Sequence, residues 1–466
     1  MKKEPQPSTR ETAGSNPRQG DICDLTIATL DEEGYGIGRL NETPVLVSGV
    51  LPGETVRTKI TFSGRREIFA TVVKVLRHSP ARLRTAPCAR SADCDGSPLI
   101  SMKYPAQLDW KRGIVENALR GYAALQGVTP LPVLPSPGQL HYRNSATLVI
   151  AGKFTAAVIG IHRRNSRDLL EIGDCPLYHP LISRVVQAVK DGIRKGKVPV
   201  YSSRSATGLL RYLLVRVAEA ENRVMVVFVT SQRSFNEIHH LGKYLQEAVP
   251  EVEVVVQNVN GSPGNAIFGE KEHFVGRKRY LTDTIGDIRF VISPRSFFPV
   301  NRNAALLVYD KVREWANLSG RETVIDLDWG SGGLPLFLAA GAKEIVAIRS
   351  PLAAAEAEKN AQRNGIRNCR FETGEAARLL AEFSGEGIDA DLVTLNPPRK
   401  GYDEELLRQV ALLAPPRIIY VSGAPRDLAR HLDIFARSGY CTKGLQPVDT
   451  SPQTPGMEIV SLLVRG

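Results

Sequence analysis

The chain has 466 residues, 42% of them hydrophobic, which is too long for one core and indicates about three domains. Sixty Lys and Arg residues against 49 Asp and Glu residues give a formal charge of +11, which favours a polyanionic partner because phosphate contacts release counterions. The sequence has no long apolar run and no apolar stretch behind the lysines at its start, so we expect a cytoplasmic protein with no membrane segment.

The first eighty residues divide into a tail and a β-rich segment. Residues 1–19 are rich in Pro, Ser, Gly and charge without periodic apolar positions, which predicts a disordered tail. Residues 20–78 hold about five short β-forming runs separated by turn residues, which predicts a small OB-like β-barrel. Such a barrel binds single-stranded nucleic acid on an open face, although it can also serve only as a packing module. Its candidate phosphate contacts are Arg57, Lys59, Arg65, Arg66 and Lys74.

Residues 79–136 contain two cysteines followed by a helical pattern from about Tyr104 to Val115. In a cytoplasmic chain, cysteines favour metal binding, catalysis or burial over disulfides. The five-residue gap between Cys88 and Cys94 is wider than zinc sites use and is compatible with an iron–sulfur cluster, for which Cys175 is the distant partner. The missing ligand position falls on Ser97, a poor substitute for a thiolate, so three buried or idle thiols are the alternative.

The middle of the chain, residues 137–300, alternates apolar and polar side chains in several runs. This pattern predicts a mostly antiparallel sheet, with helices at Leu181–Lys195 and Asn236–Ala248. Its densest basic loop, a candidate substrate contact, spans residues 162–167 and contains Arg163, Arg164 and Arg167. Charged loops are more often merely solvated, and that alternative stays open.

Residues 301–466 alternate strands and helices regularly, as an open α/β sheet does. The pattern begins with an apolar strand containing Asp326, a turn at Gly330 and Gly332, and a second strand that ends at Arg349. Glycines there let a nucleotide-like ligand approach the backbone, although a tight turn without chemical meaning has the same pattern. Loops after successive strands should meet at one edge of the sheet and form a ligand crevice.

Ordered motifs along the chain resemble those of the RNA 5-methyluridine (uracil-5) methyltransferase family, which uses S-adenosylmethionine to methylate carbon 5 of uracil in ribosomal or transfer RNA. The matching motifs are Tyr142-Arg143-Asn144, Gln257-Asn258-Val259-Asn260, Ser293-Pro294, Ser296-Phe297-Phe298, Pro397-Pro398-Arg399-Lys400-Gly401, Tyr420-Val421-Ser422, Leu428-Ala429-Arg430, Gln446-Pro447-Val448-Asp449 and Glu458. The resemblance implies a TRAM β-barrel, a central RNA-binding domain and a C-terminal class I Rossmann-like methyltransferase domain. It implies RNA as the partner, and we expect a monomer.

Five positions depart from the family pattern, each at a functional place. The nucleophilic cysteine after Tyr-Val-Ser is Gly423, and the Asp before Pro-Pro-Arg is Asn396. The acidic residue that would accept both ribose hydroxyls of the cofactor is Arg349, and the Gln after Ser-Phe-Phe is Pro299. The fourth cluster cysteine is Ser97. Loss of function with retention of fold would produce this distribution of changes.

Other family positions are retained. Glu458 matches the general base that removes the proton from carbon 5, and the remaining candidate cofactor contacts are Asp326, Gly330, Gly332 and Glu375. We therefore expect an RNA-binding protein that does not methylate uracil, with weak or absent S-adenosylmethionine binding and no stable 4Fe-4S cluster. The alternative is an active S-adenosylmethionine-dependent methyltransferase of ribosomal or transfer RNA.

Two further alternatives concern single residues near the same chemistry. Cys369 and Cys441 are the other thiols that could replace the nucleophile, but neither falls on a predicted crevice loop. The Asn396-Pro397-Pro398 segment resembles a loop of amino-group methyltransferases, in which an aromatic residue follows and stacks on the base. Here Arg399 follows instead, so this resemblance is the weaker one.

Overall fold

The structure is a computed structural model, and it describes residues 17–64, 67–163, 166, 168–264, 266–328, 332–385, 387, 389–398 and 401–466. Several residues singled out in the sequence lie outside this part of the chain: most of the N-terminal tail, Arg65, Arg66, Arg164, Asn165, Arg167, Gly330, Arg399 and Lys400. Internal contacts divide the chain into two units, Met1–Trp110 with Pro452–Pro455, and Lys111–Ser451 with Gly456–Gly466.

The first unit contains a six-stranded sheet built around alternating inward-facing apolar residues. Its strands are β1 (Ile22–Thr26), β2 (Thr29–Leu30), β3 (Gly36–Leu40), β4 (Thr43–Val47), β5 (Thr55–Ser63) and β6 (Ile68–Arg77). Their order in the sheet is β1-β5-β6-β4-β3-β2. Strands β1 and β2 are separate although only two residues lie between them, because the backbone N–H of Ile27 donates to Glu54 while that of Ala28 donates to Ile37. The predicted N-terminal β domain is confirmed.

The second unit begins within helix α1 (Tyr104–Leu119), whose Lys111 is fully buried. Lys111 Nζ donates to Asp449 Oδ1 at 2.5 Å, to the Gly456 carbonyl at 2.7 Å and to the Ser451 carbonyl at 3.3 Å. An ammonium group has three donors, so this geometry provides an acceptor for each of them. The contacts fix both ends of the segment that leads into Glu458.

The central sheet of the second unit is mostly antiparallel, as the alternating pattern predicts. Its order is β13-β12-β11-β10-β7-β8-β9, and the one parallel pair among these strands, β11 with β12, is joined through a helix. Helices α2 (Pro180–Gly196) and α3 (Phe235–Ala248) pack on one face of the sheet. The strands are β7 (Ser145–Lys153), β8 (Ala156–His162), β9 (Leu169–Glu171), β10 (Leu210–Ala218), β11 (Arg223–Thr230), β12 (Val252–Val259) and β13 (Lys271–Val275).

A hairpin and a helix connect this sheet to the C-terminal one. They are β14 (Leu281–Ile285), β15 (Ile288–Ile292) and α4 (Arg302–Ala316). Leu281 and Ile292 pack with Leu214, Met225 and Val254 on the face of the central sheet that α2 and α3 do not cover. The hairpin therefore closes the second face of that sheet.

The C-terminal sheet has the order β18-β17-β16-β19-β20-β22-β21, with parallel pairing from β18 through β20 and an antiparallel final hairpin. This arrangement confirms the expected Rossmann-like fold, because helices follow the parallel strands and cover both faces. Its elements are β16 (Thr323–Asp328), α5 (Gly333–Leu338), β17 (Glu344–Arg349), α6 (Pro351–Arg363), β18 (Cys369–Thr373), α7 (Ala376–Gly385), β19 (Leu392–Asn396), α8 (Glu404–Leu412), β20 (Arg417–Ser422), α9 (Pro425–Arg437), β21 (Tyr440–Val448) and β22 (Glu458–Arg465).

None of the described helices combines the length and the apolar composition needed to cross a bilayer.

We predict that Lys111→Met destabilises the protein by about 3–5 kcal/mol, because it leaves the buried Asp449 carboxylate without its cation. Urea unfolding measures the change. The double variant Lys111→Met/Asp449→Leu should recover most of the lost stability, and Lys343→Met, at an exposed position, should stay within about 0.5 kcal/mol of the parent. Equal unfolding midpoints for Lys111→Met and Lys343→Met would contradict this account of the buried pair.

Candidate active site at the carboxyl edge of the C-terminal sheet

Three neighbouring strands are joined by a buried polar cluster near the crevice edge. The carboxylate of Asp326 on β16 accepts hydrogen bonds from Arg349 Nη2 on β17 and from Thr394 Oγ1 on β19. Arg349 Nη1 also donates to the carbonyl oxygens of Asp326 at 3.2 Å and Ile348 at 2.8 Å. Asp326, Arg349 and Thr394 are all buried. Both oxygens of the carboxylate are thus engaged inside the sheet.

The direction of Arg349 differs from what its place at a strand end suggests. The sequence leads one to expect a cation that faces the cofactor, but the side chain is fully buried and turned back onto Asp326. The ribose position therefore receives neither the acceptor that the family resemblance implies nor a projecting guanidinium. At this position the residues present do not fit S-adenosylmethionine, and we assign no reaction step to it.

The glycine turn after β16 has a packing requirement of its own. Gly332 has a φ of +89°, a conformation that favours glycine, and a Cβ there would lie 2.8 Å from the Cβ of Ala357 on α6. A Cβ on Gly333 would lie 2.5 Å from Tyr309 Oη. Packing of α5 against its neighbours therefore requires glycine at both positions, independently of any ligand. Glu375 lies exposed at the same edge, just before α7.

Position 423 and Glu458 meet at the crevice because β20 and β22 are paired strands, with Ser422 opposite Ile459. A Cβ built on Gly423 would lie 3.3 Å from Glu458 Oε1 and 3.1 Å from the carbonyl oxygen of Met457. Gly423 is not among the residues with positive φ, so the backbone accepts an L side chain after a shift of a few tenths of an ångström. The positions that the resemblance assigns to nucleophile and base are therefore adjacent, and position 423 has no side chain.

The other two thiols of the C-terminal domain lie away from this point. Cys441 pairs with Val464 in the β21–β22 hairpin, whereas Glu458 pairs with Val448 at the other end. Six residues of strand separate 458 from 464, which is about 20 Å. Cys369 begins β18 at the opposite, amino edge of the sheet, and burial, with Asp326 adding to it, raises the pKa of its thiol to about 12. Neither cysteine is placed to attack a ligand beside Glu458.

Asn396 lies at the end of a strand, whereas Pro299 lies in a segment that is anchored by hydrogen bonds from Asn144. Asn396 ends β19 opposite Asp328 and is half-buried at the crevice edge. The carbonyl of Pro299 accepts a hydrogen bond from Asn144 Nδ2 at 2.9 Å, and Asn144 N–H donates to Val300 at 3.0 Å. The Asn144 motif thus anchors the segment that carries Pro299, a role that its sequence did not reveal.

A buried aromatic and imidazole layer supports β20 beneath the crevice loops. Tyr420 Oη lies 2.8 Å from His431 Nδ1, and Arg430 Nη2 lies 3.1 Å from His431 Nε2. Because arginine can only donate, Nε2 is the acceptor and the proton resides on Nδ1. Burial, reinforced by Arg430, lowers the pKa of His431 to about 4. The sequence did not single out His431, since a histidine on an apolar helix face is usually part of the core.

The cysteines of the proposed cluster are distributed over both units. Cys88, Cys94 and Ser97 belong to the first unit and Cys175 to the second. Cys94 Sγ accepts a hydrogen bond from Gly96 N–H at 3.2 Å, and Ser97 is buried. Within the described residues, no group of three or more His, Cys, Asp or Glu side chains is arranged to hold a metal ion. The expectation about the iron–sulfur cluster stays a prediction.

Known proteins resemble this chain in sequence along its whole length. A TRAM domain model matches residues 18–73. An uncharacterized RNA methyltransferase of Geobacter sulfurreducens is 53% identical over 466 residues, covering 100% of this chain and 94% of its own length. Another, from Halalkalibacterium halodurans, is 33% identical and covers 96% of this chain and 97% of its own.

A solved structure shares the fold along almost the whole chain. The crystal structure of Pyrococcus abyssi tRNA (uracil-54, C5)-methyltransferase, in complex with S-adenosyl-L-homocysteine, superposes with a TM-score of 0.77 at 24% identity. The match covers 95% of this chain and 99% of that one. The likeness establishes a common architecture for the two chains.

We predict that folding stability falls as the pH drops from about 6.5 to about 4. In this range the imidazole of His431 is protonated in the unfolded protein but stays neutral in the folded protein, where it is buried. The native pKa lies below the unfolded one, so the loss begins near 6.5 and is complete near 4, with an upper limit of about 3 kcal/mol. His431→Gln should flatten this dependence in urea unfolding, whereas the exposed His240→Gln should not. Parallel curves for the two variants would exclude His431 as the source.

Proposed function

Because this chain belongs to the family of RNA methyltransferases with an N-terminal TRAM domain, we propose that it binds RNA but does not methylate carbon 5 of uracil. The observation that carries the proposal is Gly423, which lies beside the Glu458 carboxylate and has no side chain there. Glu458, at the base position of the family, is retained, whereas Asn396, Arg349 and Pro299 also depart from the family pattern. The missing side chain at 423 removes the nucleophile itself, and the other departures affect separate parts of the site.

The chemistry explains why that group matters. Carbon 5 of uracil becomes nucleophilic only after a nucleophile adds to carbon 6, and the family uses a cysteine thiolate for this addition. The hydrogen on the Gly423 α-carbon cannot form such a bond, and no other thiol of the C-terminal domain lies nearby. Glu458 then has no adduct from which to remove the carbon 5 proton. The retained base is idle without the missing nucleophile.

RNA binding rests on charge and on the β domain. The net charge of +11 favours a polyanion, and Lys59 and Lys74 are exposed on adjacent strands of the TRAM domain. Arg57 is held by Asp24, with hydrogen bonds of 2.8 and 2.9 Å, and so contributes less to this surface. We propose ribosomal or transfer RNA as the ligand. We also propose that no stable 4Fe-4S cluster forms, which the iron content after anaerobic purification tests.

An active S-adenosylmethionine-dependent RNA methyltransferase that uses another target atom is the second candidate. The retained glycine turn at Gly332 and the retained Glu458 favour it, because both belong to the working site of the family. A transferred methyl group that is not 5-methyluridine would distinguish it from the first candidate.

We predict that the protein transfers no methyl group from tritiated S-adenosylmethionine to carbon 5 of uracil in RNA from cells that lack 5-methyluridine. Gly423→Cys should also give no turnover, because Arg349 and Asn396 still depart from the working pattern and act on separate steps. The restored thiol lies next to Glu458 and should instead form a stalled protein–RNA adduct, detected as a shifted band in denaturing gels.

Gly423→Ser is the matched control, since it adds a side chain of similar size without a thiol and should give no adduct. Incorporation of tritium into 5-methyluridine by the unmodified protein would refute the proposal outright.

We predict that S-adenosylmethionine binds more weakly than about 100 μM in calorimetric titration, because the ribose hydroxyls lose two acceptors, worth about 2–4 kcal/mol. Arg349→Glu should not restore affinity, since the new carboxylate would face Asp326 inside the sheet and two buried like charges destabilise it. Arg349→Glu/Asp326→Asn removes that repulsion and is the control. A low-micromolar dissociation constant for the parent would overturn this prediction.

A further inference from the structure

A basic cleft lies between the β14–β15 hairpin and helix α6, outside the crevice described above. Its volume is about 580 Å³, within the range of sites that hold a nucleotide-sized ligand. The residues that matter for its chemistry are Arg279, Tyr280, Ser293, Glu356, Lys359 and Arg363. We call it the hairpin–helix cleft.

The charge balance of the hairpin–helix cleft favours an anion. Arg279, Lys359 and Arg363 are exposed at its walls, and neither Arg279 nor Lys359 has a carboxylate partner in the part of the chain that the structure describes. Arg279 instead lies 4.7 Å over the ring of Phe274. Two cations without acidic partners can each take a phosphate without first losing an ion pair.

The single carboxylate of the cleft does not offset these cations at the surface. Glu356 is 8% exposed and accepts hydrogen bonds from the hydroxyls of Ser293 and of Ser296, the latter at 2.6 Å. Both hydroxyls donate to its Oε1, which ties the carboxylate to the floor of the cleft. A ligand at the mouth therefore meets the cations first.

An aromatic side chain stands beside the cations. Tyr280 is 40% exposed, its hydroxyl accepts a hydrogen bond from Arg363 Nη2 at 2.7 Å, and the guanidinium lies 5.0 Å from the ring centre. A tyrosine held in place by arginine and surrounded by positive charge is the combination that binds single-stranded nucleic acid, with the ring stacking on a base and the cations on phosphates.

The two walls of the cleft are joined to each other before any ligand arrives. Asn360 Oδ1 of α6 accepts from Val291 N–H at 2.8 Å, and Asn364 Oδ1 accepts from Arg289 N–H at 2.9 Å. Asn364 Nδ2 also donates to the carbonyl of Arg289 at 2.7 Å. These bonds hold β15 against the helix, so binding needs little rearrangement of the backbone.

We propose that the hairpin–helix cleft is a second binding site for single-stranded RNA, which takes one or two phosphodiester groups on Arg279 and Lys359 and a base on Tyr280. Arg277, two residues before Arg279 along the chain, is exposed as well and can contact a strand that continues beyond the cleft. The inference rests on the proposed RNA-binding function and specifies where, outside the crevice, that RNA is held.

The test measures binding of a labelled oligouridylate of about 12 nucleotides to the full-length protein over a range of salt concentrations. Arg279→Ala/Lys359→Ala should reduce the salt slope of log K by about 1.4, which is two lost phosphate contacts at about 0.7 each. That difference amounts to about 25-fold between 1 M and 0.1 M salt. Tyr280→Ala should weaken binding about 5-fold or more at every salt concentration, and Tyr280→Phe should not.

The matched control is Arg321→Ala/Lys343→Ala, which removes the same charge from exposed positions at the amino edge of the C-terminal sheet. It should leave the slope unchanged. Because all four residues are exposed, thermal unfolding should show that both double variants keep the parent stability.

Three outcomes would overturn the proposal. Equal slopes for the cleft and control variants, with firm binding by the parent, would exclude the cleft and leave the proposed RNA-binding function intact. Absence of oligouridylate and structured-RNA binding by the parent would remove both. Binding of free uridine 5′-monophosphate that is lost in the cleft variant, with RNA affinity unchanged, would identify the cleft as a mononucleotide site.

Discussion

The buried ion pair between Asp326 and Arg349 is the interaction on which the rest of the C-terminal domain depends. It joins β16 to β17, and Thr394 extends the contact to β19, so three adjacent parallel strands share one polar cluster just inside the crevice. A charge in a sheet interior is tolerated only when it is paired and hydrogen-bonded. Removing one partner of such a pair destabilises the fold far more than replacing both partners by apolar residues. Arg349 is therefore part of the scaffold rather than a removable obstacle in the crevice.

This dependence explains why the site cannot be understood by replacing residues one at a time. The family acid at position 349 would need a different arrangement around Asp326, whereas a side chain at position 423 needs its neighbours to shift by only a few tenths of an ångström. Lys111 adds a second constraint, because it ties the segment 449–456 in place and so fixes where β22 and Glu458 begin. On the proposed function, positions 423 and 458 remain adjacent although 423 offers no nucleophile, because the strands that place both positions are held by packing elsewhere.

The proposed RNA binding does not require a nucleophile at position 423. Phosphate contacts depend on where cations lie and on whether they are already paired, and both conditions are met in the hairpin–helix cleft as well as on the β domain. Many other surface arginines of this chain, among them Arg184 and Arg313, already hold carboxylates and are less available. The proposed RNA binding is in this way independent of whether the protein transfers a methyl group.

The sequence by itself determined the α/β alternation, the mostly antiparallel central sheet and the N-terminal β domain. Local hydrophobic periodicity and turn residues are sufficient to predict strands and helices. It also determined that position 423 has no side chain. It did not determine that β1 and β2 are separate strands, which depends on hydrogen bonds to Glu54 and Ile37 in other parts of the chain.

Only the tertiary structure decided the direction of Arg349, the contact between position 423 and Glu458, and the assembly of Arg279, Tyr280 and Lys359 around one cleft. Arg349 lies 23 positions from Asp326, Glu458 lies 35 from Gly423, and Lys359 lies 79 from Tyr280 and 80 from Arg279. A local pattern reports which face of its own strand or helix a side chain occupies, but not which distant element packs against that face. Strand order, register and burial settle that question, because they alone determine whether a charged group finds a partner inside the protein or remains available to a ligand.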